Sequence, residues 1–103
     1  DYFLIPKDDV NRKSVYHRYV IQFEKRDKLK KYLLSKGIET KINYPIPLHL
    51  QEASKNVKMN RKDLKNTEFL SKRILSLPIY SELTDAQVNY VIKSIKSYFK
   101  TYE

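Results

Sequence analysis

Between Val15 and Phe23 the chain concentrates β-branched and aromatic residues, and Val15, Tyr19, Ile21 and Phe23 share one face at the two-residue period of a strand. Tyr16 and Val20 make the opposite face partly apolar, so the spacing predicts a strand covered on both sides. His17 falls on the first face, where it reads as a satisfied core residue. The period then changes. From Arg26 to Lys36, Leu29, Tyr32, Leu33 and Lys36 recur at helical spacing, with Asp27 four residues ahead of Lys31 for a weak ion pair. Gly37 follows as a left-handed cap, with Ile38 folding back on the last turn. Ile38 to Asn43 alternates again and predicts a second strand.

The segment Tyr44-Pro45-Ile46-Pro47-Leu48-His49-Leu50-Gln51 cannot be a regular helix or a central strand, because two prolines remove donors and fix the backbone. It reads as a stiff, apolar, extended loop of the kind that faces another surface. Glu52 to Lys62 is polar and Lys-rich. A helix is expected from Lys65 to Leu75 with Phe69, Leu70, Ile74 and Leu77 turned inward, then a short extended piece over Ser76–Ile79. In the last helix Thr84 and Gln87 form a capping box, Leu83 and Val88 stand at the staple positions, and Val88, Val91, Ile92, Ile95, Phe99 and Tyr102 form one stripe. This order predicts an α+β fold, a small antiparallel or mixed sheet with helices mainly on one face.

Composition narrows the function. The 103 residues make one domain with one modest core, and 41% hydrophobic content suits a folded chain. No apolar run approaches the roughly 18 residues of a membrane helix, and with no cysteine neither disulfides nor thiolate metal sites arise. The cytosol is the expected location. Residues 1–14 open without Met, and their short apolar run stops at Pro6 before a polar stretch, so they read as a segment entering from elsewhere. An excess of 21 Lys+Arg over 12 Asp+Glu gives +9. Such a charge fits a nucleic-acid partner, but no nucleic-acid motif accompanies it, and lysines coating solvent faces account for it as well.

Candidate chemistry is sparse. A single glycine excludes phosphate-binding loops that need close backbone approach. His17 and His49 have no metal-ligand spacing, and no lysine lies in an apolar stretch that would depress its pKa. No catalytic and no metal site is therefore expected within the chain. The loop after the second strand is the exception: Asn43, Tyr44, His49 and Gln51 gather polar groups on a proline-stiffened scaffold. From these residues alone they either orient a ligand held mostly by something else, or pack against the neighbouring helix.

Tyr16-His17-Arg18-Tyr19-Val20-Ile21, Arg26-Asp27-x-Leu29, Lys36-Gly37-Ile38-Glu39-Thr40, Tyr44 to Gln51, Glu68, and Leu75-Ser76-Leu77-Pro78-Ile79-Tyr80-x-Glu82-Leu83-Thr84-Asp85-x-Gln87 resemble, in this order, the DegT/DnrJ/EryC1/StrS aminotransferases. The resemblance runs from about Val15 to Phe99. It implies the C-terminal small domain (residues 15–103) of an aspartate-aminotransferase-type, fold type I enzyme, with 1–14 as the linker from a large N-terminal domain. It further implies a homodimer that uses pyridoxal 5'-phosphate, with glutamate as amino donor and a keto nucleotide-sugar as acceptor. The Schiff-base lysine and the acid on the pyridinium nitrogen belong to the family's large domain, so no cofactor-binding residue is expected here. Asn43 and Tyr44 match a His-Tyr pair that borders the sugar pocket. Asn in place of His can hydrogen-bond but cannot move a proton near pH 7. His49 and Gln51 are expected to shape the loop or line the pocket. The alternatives are a small basic single-stranded nucleic-acid-binding module, and family relatives that dehydrate or act on a non-nucleotide keto-cyclitol.

Overall fold

The computed structural model describes residues 3–58 and 60–102, with the backbone alone at position 61. Three strands, β1 (Phe3–Leu4), β2 (Tyr19–Phe23) and β3 (Ile74–Leu77), form an antiparallel sheet in the order β1-β2-β3. Three α-helices, α1 (Arg26–Ser35), α2 (Lys65–Ser71) and α3 (Asp85–Tyr102), complete the α+β fold, with three short 3-10 turns between α1 and α2.

The register pairs Ile21 with Leu75 and Tyr19 with Leu77. Strand alternation then turns Ile21, Phe23 and Leu75 towards Leu29 and Leu33 of α1 and Tyr98 of α3, and these with Ile38 make the core. Each fully buried side chain of this size contributes about 1.5–3 kcal/mol. The Phe23 ring meets Tyr98 and Phe99 edge-on at 6.0 and 5.0 Å, and Phe3 joins through Phe99 at 5.5 Å, which seats β1 on the sheet.

The helix ends follow local chemistry. Gly37 has φ 74°, and the Gly37 and Ile38 amides donate to the Leu34 and Leu33 carbonyls at 2.9 Å each, the paired bonds of a Schellman cap. At the start of α3 the Thr84 amide donates to Gln87 Oε1 at 2.9 Å, and the Gln87 amide donates to Thr84 Oγ1 at 3.2 Å. Among the described residues no helix is long and apolar enough to cross a membrane.

Other elements differ from the sequence expectation. The first strand begins only at Tyr19. Val15 is 93% exposed, His17 is exposed, and Tyr16 takes φ 47°. Asp8 accounts for this: it accepts from the Ser14 amide at 3.2 Å and the Tyr16 hydroxyl at 3.0 Å, and these local bonds compete with an extended ladder. That bond to Asp8 also raises the Tyr16 pKa above its ordinary value.

The expected strand over 38–43 keeps its alternation, with Ile38 and Thr40 buried, but contributes a single bridge, Lys41 to Ser76. The cap at Gly37 and the prolines after Asn43 leave no room for a longer ladder. The expected helix over 65–75 ends at Ser71, because pairing of Ile74–Leu77 with β2 buries Leu75 more completely than another turn could. Phe69 is 57% exposed, under the Arg73 guanidinium at 5.0 Å, and not inward. On α3 the buried line is Val91, Ser94, Ile95 and Tyr98, while Val88, Ile92 and Tyr102 face outward. Asp27 pairs with Arg26 at 2.7 Å, not with Lys31.

A Cβ at position 37 meets nothing within 4 Å, so Gly37→Ala carries only the left-handed backbone strain. It is expected to lower stability by about 1–2 kcal/mol, against about 2–5 kcal/mol for Leu33→Ala in the core. Urea unfolding checks both, with the midpoint falling and the slope unchanged.

Candidate functional site

A cavity of about 910 Å³ opens between the segment 37–43, the end of β3 with its following turn, and the first turns of α3. The Lys41–Ser76 bridge sets its geometry. The Lys41 amide donates to the Ser76 carbonyl at 3.1 Å, and the Ser76 amide donates back to the Lys41 carbonyl at 2.7 Å. Lys41 and Asn43 thereby extend the sheet edge, and both border the cavity. Asn43 Oδ1 accepts from the Ser76 hydroxyl at 3.3 Å. Across the opening Tyr90 donates its hydroxyl to the Lys36 carbonyl at 2.8 Å, which satisfies a carbonyl at the end of α1 and fixes the ring.

The proline loop leaves the cavity at Tyr44, which is 59% exposed; the peptide bond between Asn43 and Tyr44 is cis. Internal bonds brace the loop. Pro47 is buried, and its carbonyl accepts from the Leu50 amide at 2.9 Å. Gln51 Nε2 donates to the Ile46 carbonyl at 3.1 Å, and the Ser54 hydroxyl donates to the Leu48 carbonyl at 2.7 Å. The His49 side chain is 5% exposed, and its Nε2 lies 3.0 Å from Glu68 Oε1 on α2. Of the four residues singled out from the sequence, Asn43 borders the cavity, Tyr44 lies on the outer surface, and His49 and Gln51 turn inward to hold the loop.

Glu68 is the partner that sequence reasoning did not assign. It belongs to the motif order, but only the fold sets α2 beside the loop. The α2 helix is held in turn by Arg26, whose buried guanidinium donates to the Ser71 and Ile74 carbonyls at 3.1 and 2.8 Å. Near the α3 cap, exposed Glu82 has its pKa lowered by bonds from the Ser81 hydroxyl and its own backbone amide, a local effect away from the loop. No group of three His, Cys, Asp or Glu side chains able to hold a metal gathers among the described residues. The site can orient and hydrogen-bond a ligand, and it offers no paired nucleophile and base.

Residues 1–96 match the DegT/DnrJ/EryC1/StrS aminotransferase family. The chain is 36% identical over 100 residues to the pleiotropic regulatory protein of Geobacillus stearothermophilus, covering 97% of this chain and 27% of the relative. It is 32% identical over 84 residues to the dTDP-3-amino-3,4,6-trideoxy-alpha-D-glucose transaminase of Streptomyces venezuelae, covering 82% of this chain and 22% of that enzyme. The crystal structure of a DegT DnrJ EryC1 StrS aminotransferase from Brucella abortus superposes with a TM-score of 0.86 at 35% identity, over 94% of this chain and 26% of that one. The chain thus spans about a quarter of the length of the relatives it matches.

If the His49–Glu68 contact holds the loop, Glu68→Ala should raise amide hydrogen exchange across 44–51 and leave β2 protected. The double-mutant cycle with His49→Ala should return a coupling of about 1–2 kcal/mol, the range of hydrogen bonds to charged groups. A coupling near zero would count against the brace.

Proposed function

The chain belongs to the DegT/DnrJ/EryC1/StrS aminotransferase family, and on that premise we propose that residues 15–103 are the C-terminal small domain of a pyridoxal-phosphate-dependent sugar aminotransferase. Residues 1–14 enter from a large N-terminal domain, and the complete enzyme works as a homodimer in the cytoplasm. Glutamate supplies the amino group, and a keto nucleotide-sugar receives it. The observation that carries this reading is the placement of Asn43 and Tyr44 on a braced loop at the edge of the cavity. The name of the Streptomyces venezuelae relative, a transaminase of a dTDP-linked amino sugar, supports the substrate class.

The residues present do not fit the cofactor by themselves. Among the described lysines none is buried, so none has the desolvated pocket that activates a Schiff-base amine. The lysine and the acid that pairs with the pyridinium belong to the large domain. Pyridoxal phosphate, when bound there, supplies the amino-group carrier.

This chain's residues position the sugar. With Oδ1 engaged by Ser76, the Asn43 amide keeps Nδ2 to donate to a sugar oxygen, and it moves no proton near pH 7. Tyr44 offers a ring for the sugar face and a hydroxyl that donates or accepts. His49, Glu68 and Gln51 fix the loop, which reduces the ordering cost when substrate binds. The family match favours an enzyme domain over the single-strand-binding module that the charge alone would allow.

In the complete enzyme, Tyr44→Ala is expected to lower kcat/KM for the keto sugar by about tenfold or more, while cofactor affinity and the reaction with glutamate stay within about twofold. Separate kinetics of the two half-reactions check this. Unchanged turnover of the sugar would remove Tyr44 from the pocket.

A further inference from the structure

We propose that Arg18 and Lys41 form a diphosphate subsite for a nucleoside-diphosphate ligand, with Tyr80 and Tyr90 as the aromatic wall beside it and Asn43 towards the sugar end. This rests on the sugar-aminotransferase reading and deepens it, because a diphosphate subsite selects nucleotide-linked sugars over free keto-cyclitols.

The cavity brings together two cations from distant parts of the chain. Arg18 immediately precedes β2, and Lys41 bridges Ser76 on the outer side of β3. Two strand spacings separate these backbones, roughly 10 Å, a distance that two long side chains can close on one diphosphate. Both border the cavity, and Glu39 is the carboxylate that borders it with them. The local balance is positive before any contribution from His17, which also borders the opening and can donate a hydrogen bond.

Neither the Arg18 guanidinium nor the Lys41 ammonium has a hydrogen-bond or ion-pair partner among the described residues. Arg26 gives the contrast: its guanidinium is spent on two carbonyls. The Arg18 fork can take two phosphate oxygens at once, and the Lys41 ammonium adds a point charge. Their anchoring differs from that of ordinary surface cations. The Lys41 backbone is fixed by two hydrogen bonds to Ser76, and Arg18 is joined directly to the strand residue paired with Leu77.

The aromatic wall lies along the same opening. Tyr90 is half-exposed, and its hydroxyl is held by the Lys36 carbonyl, so the ring stays in place and offers a face for a base. Tyr80 is half-exposed as well and borders the same space. A cavity of about 910 Å³ accommodates a base, a diphosphate and a sugar in sequence, at the upper end of small-ligand sites.

The test uses the complete enzyme with its cofactor bound, so that the cofactor's own phosphate site is filled. Inorganic pyrophosphate, uridine diphosphate, thymidine diphosphate and uridine are titrated calorimetrically at constant ionic strength. The unaltered enzyme is expected to bind pyrophosphate and at least one nucleoside diphosphate. The double variant Arg18→Gln/Lys41→Gln is expected to bind both at least tenfold more weakly, with any affinity for uridine unchanged. Tyr80→Ala is expected to weaken the nucleoside diphosphate and spare pyrophosphate. Both cations are exposed, so the double variant should keep its melting temperature, which is measured alongside.

Affinities of the double variant within twofold of the unaltered enzyme overturn the subsite, as does an unaltered enzyme that binds none of the phosphate probes. Amino transfer to a keto sugar with diphosphate binding indifferent to both substitutions overturns the subsite alone. Binding that depends on Arg18 and Lys41 in an enzyme that aminates no sugar overturns the aminotransferase reading and leaves the subsite standing.

Discussion

The pairing of Tyr19–Phe23 with Ile74–Leu77 is the contact on which the rest of the molecule depends. It joins segments far apart in sequence, and its centre, Ile21 opposite Leu75, is fully buried. Closing so long a loop carries an entropy cost that grows only slowly with its length, and core burial offsets it. Once the pair is formed, three features follow from position. The outer edge of β3 takes Lys41 and with it Asn43. The start of β2 carries Arg18 to the same opening. The other end of β3 stops α2 where Glu68 can meet His49.

Arg26 secures that last feature. A buried guanidinium is costly unless its donors are used. Here two bonds go to the Ser71 and Ile74 carbonyls, and Asp27 lies 2.7 Å from Nε as an ion pair. Nε itself makes no hydrogen bond in the angular sense, so the contact with Asp27 is electrostatic. The three groups draw the start of α1, the end of α2 and the start of β3 together. The His49 brace therefore rests on a polar joint, whereas the sheet rests on an apolar core. Disturbance of the joint would reach the proline loop before it reached the strands.

What could be read from the sequence divides along the same line. The Schellman cap at Gly37 and the capping box at Thr84 involve residues three to five apart, and local chemistry sufficed for both. The line of burial on α3 did not follow, because Tyr98 and Tyr102 are equivalent as letters. Tyr98 is buried only because Phe23, Tyr32 and Phe99 surround it. Phe69 has the opposite fate, since α2 turns it away from the core. Val15 and His17 kept a strand's alternation but lost the strand to hydrogen bonds from Asp8. At the site, Asn43 and Tyr44 were legible through motif order. The pairing of His49 with Glu68, and the meeting of Arg18 with Lys41, were not, because each depends on strand order and not on spacing.

The departure at Asn43 bears on what such a domain contributes. A histidine at this position could share in proton transfer; an asparagine held by Ser76 cannot. The remaining capacity is directional: an acceptor already engaged and donors facing a ligand. Tyr44, Ile46 and Leu48 meanwhile expose apolar surface on the outer side of the loop. Clustered apolar side chains on a stiff scaffold suit a contact surface better than a solvated one. A chain with directional donors, unpaired cations and an apolar rim, and with no buried lysine among its described residues, is built to complete a site whose reactive groups lie elsewhere. On the proposed reading, the proton transfers fall to the large domain, and the small domain's part in catalysis is to hold the acceptor sugar in register with the carrier.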